Sequence, residues 1–421
     1  MNNALRQKSV SAGMPLMDYI LKRIHELESQ TGIKRTIFAA CPNSVSVIRA
    51  ALRSAKRCGS PIKFAATLNQ VDLESAYTGL NQFEFVKLIR LEARRINLTS
   101  PVIIAVDHGG PWLKDIHTRE KWPLEKTMSA VRKSFEASIE AGYDLIHVDP
   151  TVDITIPHGE YLSISTIAER TVGLIAHTEN FRRSRGYNRV AYEVGTEEVH
   201  GGLADLDVFR EFLDLLRTGL KREKLTDVWP CFVVGKVGTD LHTTYFDPAT
   251  ARQLTEIAGA YGSLIKGHYS DNVSNPEEYP ASGMGAANVG PEFTENEYEG
   301  LMELEAIQKS LYNEGRIAKQ SEIKKVLWSA VINSGRWKKW IQPGENRDDF
   351  YSLSPGRQEW LIKTGCRYIW ESPEVVAARA KLCQNLEMNG LDAETIIELS
   401  IERAMERYFY RFNLVGLSSQ L

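Results

Sequence analysis

Three of the nine histidines stand at or just past the ends of short apolar runs, close to carboxylates. His108 follows Asp107, His268 closes the run LIKGH, and His242 comes two positions after Asp240. Two or three imidazoles with a carboxylate suit a divalent metal such as zinc and leave a coordination position open for substrate. Manganese, cobalt or nickel would suit the same donors, because ligand type alone does not select the metal. These residue types and positions predict a divalent metal centre, with zinc as the first choice.

Such residues form one site only if the elements that carry them converge. Eight apolar runs recur along the chain, namely TIFAACP from Thr36, KFAATLN from Lys63, VIIAVDHGG from Val102, LIHVDPT from Leu145, VAYEVGTEE from Val190, PCFVVGKVGTD from Pro230, LIKGHYSDN from Leu264 and GMGAANVGPEF from Gly283. Continuous apolar runs are typical of parallel strands buried on both faces. Segments with helical spacing separate most of them. The pattern predicts an α/β fold, a closed (β/α)8 TIM barrel.

In such a barrel the active site forms at the C-terminal ends of the strands. The polar residues at these ends are Asp107 and His108 on the third run, His147 and Asp149 on the fourth, Glu193 and Glu197 on and after the fifth, Asp240 and His242 after the sixth, His268 on the seventh and Asn288 on the eighth. A single histidine at such a position is more often a hydrogen-bonded structural residue than a ligand. The coincidence of several strand ends favours a site. The pattern does not assign the face of His147, which lies in mid-run.

The length of 421 residues exceeds the roughly 250 of a typical barrel. Beyond Thr294 the spacing becomes all-helical, so we expect a barrel over residues 1–295 and a helical C-terminal extension over 296–421, packed on it. Residues 272–283 contain two prolines and no helical period, which predicts a loop at the rim of the barrel. The aromatic residues between Gly335 and Trp370 are interpreted as packing of the extension, without a site role.

Composition excludes several function classes. The net charge of −3 without a basic stripe argues against nucleic-acid binding, and no apolar run is long enough to predict a membrane span. The five scattered cysteines and the polar start of the chain favour reduced thiols in a cytoplasmic protein. The sequence has no GxxxxGK[ST] loop, and GMGAANVG places Asn288 where a dinucleotide loop needs glycine. We therefore expect a small-molecule enzyme, neither kinase nor dehydrogenase, and a homo-oligomer.

Several segments together resemble one known family, the non-catalytic (Z-type) subunits of D-tagatose-1,6-bisphosphate aldolase, which are relatives of the class II aldolases. The segments are TLNQVDLESAYTG from Thr67, VDHGGPW from Val106, AGYDLIHVDPT from Ala141, YEVGTEEVHGG from Tyr192, GHYSDN from Gly267, NVGP from Asn288 and YSLSPGR from Tyr351. The similarity covers most of the chain, including the helical tail. The resemblance implies a barrel that acts on, or assists an enzyme acting on, a ketose sugar.

Carried over position by position, the resemblance implies specific roles. It makes Asp107 a proton-transferring carboxylate, and it makes His108, Glu193, His242 and His268 the ligands of the metal. In aldol chemistry a metal polarises the ketose C2 carbonyl, and a carboxylate accepts the proton of the C4 hydroxyl. Candidates for the further acid–base roles are Asp149 and Glu197. A turn or capping role for Asp149, which precedes a proline, stays an equal alternative.

Two departures from the family pattern affect the expected function. Non-catalytic subunits tend to lack a carboxylate at the position of Glu193, so its presence here favours an active metal centre. Active bisphosphate aldolases carry a Gly-Gly-Ser-type phosphate loop after the histidine of the seventh run, where this chain has Tyr269-Ser270-Asp271-Asn272. This difference favours less phosphorylated sugars, although backbone amides at Gly290 would still suit an anion. The residues expected to contact the sugar are Asn69, Gln70, Ser270 and Asn288.

Two hypotheses follow. In the first, the chain is a metal-dependent ketose 4-epimerase or class II-type aldolase that acts on a ketose or ketose phosphate. In the second, it is a non-catalytic subunit that stabilises a separate catalytic aldolase chain. The set of candidate ligands favours the first hypothesis, and the overall resemblance favours the second.

Overall fold

The eight apolar runs form the eight strands of a closed parallel barrel, as predicted. The structure is a computed structural model, and it describes residues 3–74, 76–157, 160, 162–195 and 205–421. The strands are β1 (Ile37–Ala40), β2 (Ile62–Thr67), β3 (Val102–Gly109), β4 (Leu145–Val148), β5 (Ala191–Gly195), β6 (Phe232–Val234), β7 (Leu264–Gly267) and β8 (Ala286–Val289). Parallel pairing of β1 with β8, from Ile37 opposite Ala286 to Ala40 opposite Val289, closes the barrel.

Fifteen helices are found in the described part of the chain. They are α1 (Asn3–Ser11), α2 (Leu16–Thr31), α3 (Val45–Cys58), α4 (Gln82–Arg95), α5 (Asp115–Arg119), α6 (Leu124–Ala141), α7 (Ile164–Arg185), α8 (Leu206–Arg222), α9 (Pro248–Tyr261), α10 (Glu278–Ala281), α11 (Pro291–Asn313), α12 (Ile323–Ser334), α13 (Pro355–Gly365), α14 (Pro373–Glu387) and α15 (Ala393–Arg411). Short 3-10 helices span Arg336–Trp340, Phe350–Ser352, Cys366–Tyr368 and Leu417–Ser419. None of the described helices is both long and apolar enough to span a membrane.

Local sequence signals explain where individual helices begin and end. The side chain of Ser44 accepts a hydrogen bond from the Val47 amide at the start of α3, and Gly59 ends that helix in the left-handed conformation. Asn81 and Glu84 form a reciprocal capping box at the start of α4. The segment predicted as a rim loop, residues 272–283, is irregular apart from the single turn of α10.

The extension packs on the barrel through α11 and α15. The ring of Phe38 in β1 lies 5.1 Å from that of Phe409 and 5.5 Å from that of Tyr408, both in α15. On the rim of this contact, Arg53 of α3 pairs with Glu398 at 2.6 Å. The boundary expected at 295/296 falls inside α11, so one continuous helix runs from the barrel into the extension.

Candidate active site

A cavity of about 230 Å³ lies at the C-terminal ends of the strands. The barrel contributes Asp107, His108, His268 and Asn288 to its wall, and the β2–α4 loop contributes Asn69, Gln70 and Tyr77. The extension contributes Arg336, Lys339, Trp340, Arg367 and Tyr368. The aromatic segment of the extension therefore does more than pack, because two of its rings face the same cavity as the strand-end residues.

A column of alternating charges occupies the barrel interior beneath this cavity. Glu193 Oε2 accepts from Lys63 Nζ at 3.0 Å, and Glu193 Oε1 accepts from Lys266 Nζ at 2.5 Å. Lys266 Nζ also donates to Asp107 Oδ1 at 3.0 Å. All four side chains are buried. The order from the floor of the barrel to the cavity is thus lysine, glutamate, lysine, aspartate.

Burial and the neighbouring charges in the column shift the pKa values of its side chains. Burial would raise the pKa of Asp107, but Lys266 and the nearby imidazoles outweigh burial and hold that pKa well below the ordinary value. Burial likewise opposes the charge on Lys266, yet Asp107 and Glu193 raise its pKa. For Lys63, burial and the nearby charge of Lys266 outweigh the attraction of Glu193 and lower its pKa. Asp107 is therefore ionised and held in place at neutral pH.

Three imidazoles surround Asp107. The ring centroids of His108 and His268 lie 4.5 Å apart, and those of His108 and His147 lie 5.1 Å apart. Their nitrogens lie near the carboxylate, with His147 Nδ1 at 3.3 Å and His268 Nε2 at 3.7 Å from Oδ1, and His108 Nε2 at 3.9 Å from Oδ2. Two of these distances exceed that of a good hydrogen bond. The arrangement concentrates nitrogen and oxygen donors around one point.

His108 is held by its backbone and by Asp149. Its φ of +46° lies in the left-handed region, which is strained for a residue with a side chain. The register between β3 and β4 shifts between Val106 and Gly109 at this point. His108 Nδ1 lies 2.6 Å from Asp149 Oδ2, so its other nitrogen, Nε2, is the one directed towards Asp107.

The two glycines after His108 are needed for close packing. A Cβ on Gly110 would lie 1.7 Å from the Asp149 carbonyl oxygen, and one on Gly109 would lie 2.4 Å from the Phe135 ring. The end of β3 can therefore approach the end of β4 only without side chains at these positions. This approach brings His108 within reach of Asp149.

The proposed proton-transfer role of Asp149 has no support in its contacts. Asp149 is fully buried and is not part of the cavity wall. One oxygen contacts His108, and the other accepts from the Thr151 hydroxyl at 2.5 Å. Its contact with Nδ1 instead fixes the orientation of the His108 ring. Glu197, the other acid–base candidate, lies outside the described residues.

The four residues expected to contact the sugar have different positions. Asn288 lines the cavity and donates from Nδ2 to Asp107 Oδ2 at 2.9 Å. Asn69 and Gln70 line it too, but they also fix the β2–α4 loop, with Asn69 bonded to Leu113 and Gln70 to Asn43. Ser270 does not reach the cavity.

Burial explains why Ser270 is excluded. It is fully buried behind the strand ends, and its hydroxyl accepts from the Tyr279 hydroxyl at 2.8 Å.

His242 is not brought to the imidazole cluster. It is exposed in the loop after β6, where its ring lies 5.0 Å from that of Trp360 in α13. Its backbone amide donates to Asp240 Oδ1, and this bond fixes the turn that these two residues share. The sequence placed this histidine after the correct strand, but the loop carries it away from the strand end.

His147, Lys63 and Lys266 are site residues that sequence reasoning did not assign. Each lies in an apolar run where every neighbour is buried. A charged residue within such a run is the available signal, because burial of an ionisable group requires a partner or a function. For Lys63 and Lys266 that partner is Glu193, which pairs with both.

A divalent ion fits the donors on the cavity side of the column. Asp107, His147, Glu193 and His268 each offer one donor atom, all within 4.8 Å of one another. Tetrahedral metal–ligand bonds of about 2.1 Å place ligand atoms roughly 3.4 Å apart, close to the separations around Asp107. His147 Nε2 and Asn288 Oδ1 are buried atoms without a hydrogen-bond partner in the described structure, which also fits an absent group. Lysine ammonium groups already pair with both oxygens of Glu193, so this carboxylate would bind a metal ion while it remains hydrogen-bonded to the lysines.

Comparison with known proteins identifies relatives of this architecture. The family model described as D-tagatose-1,6-bisphosphate aldolase subunit GatZ/KbaZ-like matches residues 21–408. A probable tagatose 6 phosphate kinase from Sinorhizobium meliloti has a similar structure, with a TM-score of 0.73 and 21% identity over 90% of this chain and 100% of that chain. The fructose-bisphosphate aldolase of Campylobacter jejuni gives a TM-score of 0.55 and 13% identity over 95% of each chain. At these identities the two structures establish a shared fold.

Proposed function

Because the chain belongs to the D-tagatose-1,6-bisphosphate aldolase subunit GatZ/KbaZ-like family, we propose that it is a metal-dependent carbohydrate enzyme that carries out aldol-type chemistry on a ketose or ketose phosphate. One observation carries the proposal, the carboxylate of Asp107, which is paired with Lys266 and surrounded by three imidazoles at the base of a cavity. Such perturbed groups in a cleft are typical of catalytic sites.

The donors that would hold the ion are drawn from His108, His147, Glu193 and His268, with zinc as our first choice. When bound, a divalent ion supplies Lewis-acid polarisation of the ketose carbonyl. Asp149 orients His108 through Nδ1 and so leaves Nε2 for coordination. Lys63 and Lys266 neutralise the buried carboxylates beneath the site.

Asp107 is the proton acceptor in the proposed reaction. Its carboxylate takes the proton of the C4 hydroxyl as the C3–C4 bond breaks and the bonding electrons pass to C3 and the C2 carbonyl. The products at this stage are an aldehyde and an enediolate. If both remain bound and the aldehyde presents its other face, the C3–C4 bond re-forms, Asp107 returns the proton, and the ketose is epimerised at C4. Release of the fragments gives aldol cleavage at the same site.

The second candidate is a non-catalytic subunit that stabilises a separate aldolase chain. The family description, which names a subunit, is the observation that favours it. The two candidates differ in what the isolated chain can do, so they are separated by an assay without a partner.

We expect the purified chain to bind one divalent ion and to convert ketoses without a partner. The assay supplies fructose, tagatose and their phosphates, and it follows both epimer formation and triose release, while elemental analysis measures the metal. Chelation should abolish turnover, and the added ion should restore it. If no ketose reacts with or without metal, and the chain raises the stability of a separate aldolase, the non-catalytic hypothesis is correct.

His268→Ala and His242→Ala test the ligand assignment. His268 lies in the cluster around Asp107, so we expect its loss to weaken metal binding by more than the roughly 10- to 100-fold typical of a lost outer-sphere partner. His242→Ala should bind metal as the unmodified chain does, because this ring contacts Trp360. Metal titration of both variants measures the difference. Equal losses in both would restore His242 to the ligand set.

A further inference from the structure

The wall of the cavity opposite the strand ends is cationic. Arg336 and Lys339 come from the 3-10 helix after α12, and Arg367 comes from the 3-10 helix after α13. All three line the cavity. We refer to these three residues as the cationic wall. No step of the reaction proposed above involves these three side chains, so their position in the cavity needs a separate explanation.

The cationic wall carries more positive charge than its carboxylate partners balance. Asp115 pairs with Arg336 and, at 2.6 Å, with Lys339. Arg367 is 6% exposed; its side chain hydrogen-bonds the Tyr368 hydroxyl, and Asp271 acts on it only at longer range, so among the described residues no carboxylate forms a direct ion pair with it. Guanidinium groups are rarely buried without an anionic partner. An anion bound in the cavity would supply that partner.

Aromatic rings hold the guanidinium of Arg367 in a fixed position. Its central carbon lies 5.0 Å from the Trp340 ring centroid and 4.9 Å from that of Tyr368. The central carbon of the Arg336 guanidinium also lies close to Tyr368, 4.0 Å from its ring centroid. Burial alone would raise the pKa of Tyr368, but Arg367, Lys339 and Arg336 outweigh it and lower that pKa. The region therefore favours negative charge even on a buried phenol.

The alternative anion position in the cavity is already filled. Asp271 Oδ1 accepts from the backbone amides of Gly290, at 2.9 Å, and Glu292, at 2.8 Å, at the start of α11. Helix N-termini bind phosphates through such amides. Because the chain's own carboxylate occupies them, they are not available to a substrate anion. Among the described residues that line this cavity, lysine and arginine side chains come from the cationic wall.

We propose that the cationic wall binds a terminal anionic group of the substrate, a phosphate or a carboxylate at the end of the ketose opposite its carbonyl. The inference rests on the proposed function for the identity of the ligand as a sugar. Arg367 provides the central contact, because its planar fork matches both oxyanions. Lys339 adds a second, more exposed charge. The carbonyl end of the sugar then lies towards Asp107 and His268, on the other side of the same cavity.

Arg367→Gln tests the proposal in two ways that do not depend on each other. In binding, Trp340 fluorescence and calorimetry are followed on titration with inorganic phosphate, which requires no turnover. In kinetics, a ketose 6-phosphate, a ketohexuronate and the neutral ketose are compared. We expect Arg367→Gln to weaken phosphate binding and raise KM for the preferred anionic sugar by about 10- to 100-fold, the usual effect of losing a charged hydrogen bond. The KM for neutral ketose should change less than about twofold.

A second pair of variants protects the test against misfolding of Arg367→Gln. Lys339→Gln should weaken phosphate binding, whereas Lys338→Gln should not, because Lys338 is outside the cavity wall and pairs with Asp348. Preference for the phosphate or for the uronate identifies the source of the anion, and either supports the proposal. Unchanged phosphate binding in both cavity variants overturns it. Phosphate binding that depends on Arg367 without turnover of any ketose would support the anion site and reject the proposed reaction.

Discussion

Asp107→Asn is expected to lower kcat by about 10³-fold, within the range typical of a lost general base. Asparagine keeps the size of the side chain and one oxygen, but it cannot accept the C4 hydroxyl proton. His147, Glu193 and His268 remain, and asparagine keeps the one oxygen that Asp107 could offer an ion, so bound metal should fall far less than turnover. Steady-state kinetics on the preferred ketose and elemental analysis of the same preparation measure the two effects.

Asp240→Asn is the matched control for this variant. Its carboxylate lies on the same side of the barrel, where it accepts from the backbone amides of His242 and Thr243 in an exposed turn. Its kcat should be unchanged. Product formed by Asp107→Asn at the normal rate would remove Asp107 from the mechanism, and loss of metal together with activity would make it a ligand instead of a base.

Among the variants proposed here, Lys266→Met should lower the free energy of unfolding the most. Methionine has nearly the shape of lysine, but it leaves Asp107 and Glu193 without the ammonium that lies 3.0 and 2.5 Å from their oxygens. Removing one partner of a buried ion pair costs about 3–5 kcal/mol of unfolding free energy. Urea unfolding measures this value, and turnover should be lost with it. Lys338→Met, at an exposed pair, should change stability by less than about 0.5 kcal/mol.

The loss in Lys266→Met should depend on pH and on metal. The pKa values of Asp107 and Glu193 lie below their ordinary values, so the stability they contribute is present above about pH 4 and is lost as pH falls through the lowered values. The deficit of the variant should therefore shrink in acid. A divalent ion that restores its stability at neutral pH would show that metal and ammonium compete for one position. A deficit below about 1 kcal/mol at pH 7 in chelator would contradict a structural role for Lys266.

The barrel could be predicted because its signal is local. Each of the eight runs is apolar along its whole length, and a run such as VIIAV is compatible with only a buried strand or a buried helix. Their number and the helices between them then leave few topologies. The common location of Asp107, His108 and His268 could be predicted for the same reason, since strand ends in a closed barrel meet at one mouth.

The remaining site residues depend on information that is not local. Whether Lys63 and Lys266 face the barrel axis is set by the register between strands, and the face of His147 in a strand of four residues is set in the same way. His242 was misplaced because its distance from the end of β6 along the chain does not determine the path of the loop. Arg367 lies about a hundred residues after β7, so only the docking of the extension brings it to the cavity.

The division of the cavity between strand ends and two short 3-10 helices has a consequence for how such proteins can diversify. The groups proposed to react belong to a scaffold that tolerates little change, because Gly109 and Gly110 admit no side chain and the buried lysines pair with buried carboxylates. The residues at 336–340 and 366–368 lie outside the strands, in connections between helices of the extension, although Trp337, Cys366 and Arg367 are buried there. Under the proposed function, exchange of the cavity-lining side chains at Arg336, Lys339 and Tyr368 would change which sugar is bound without altering the strand ends.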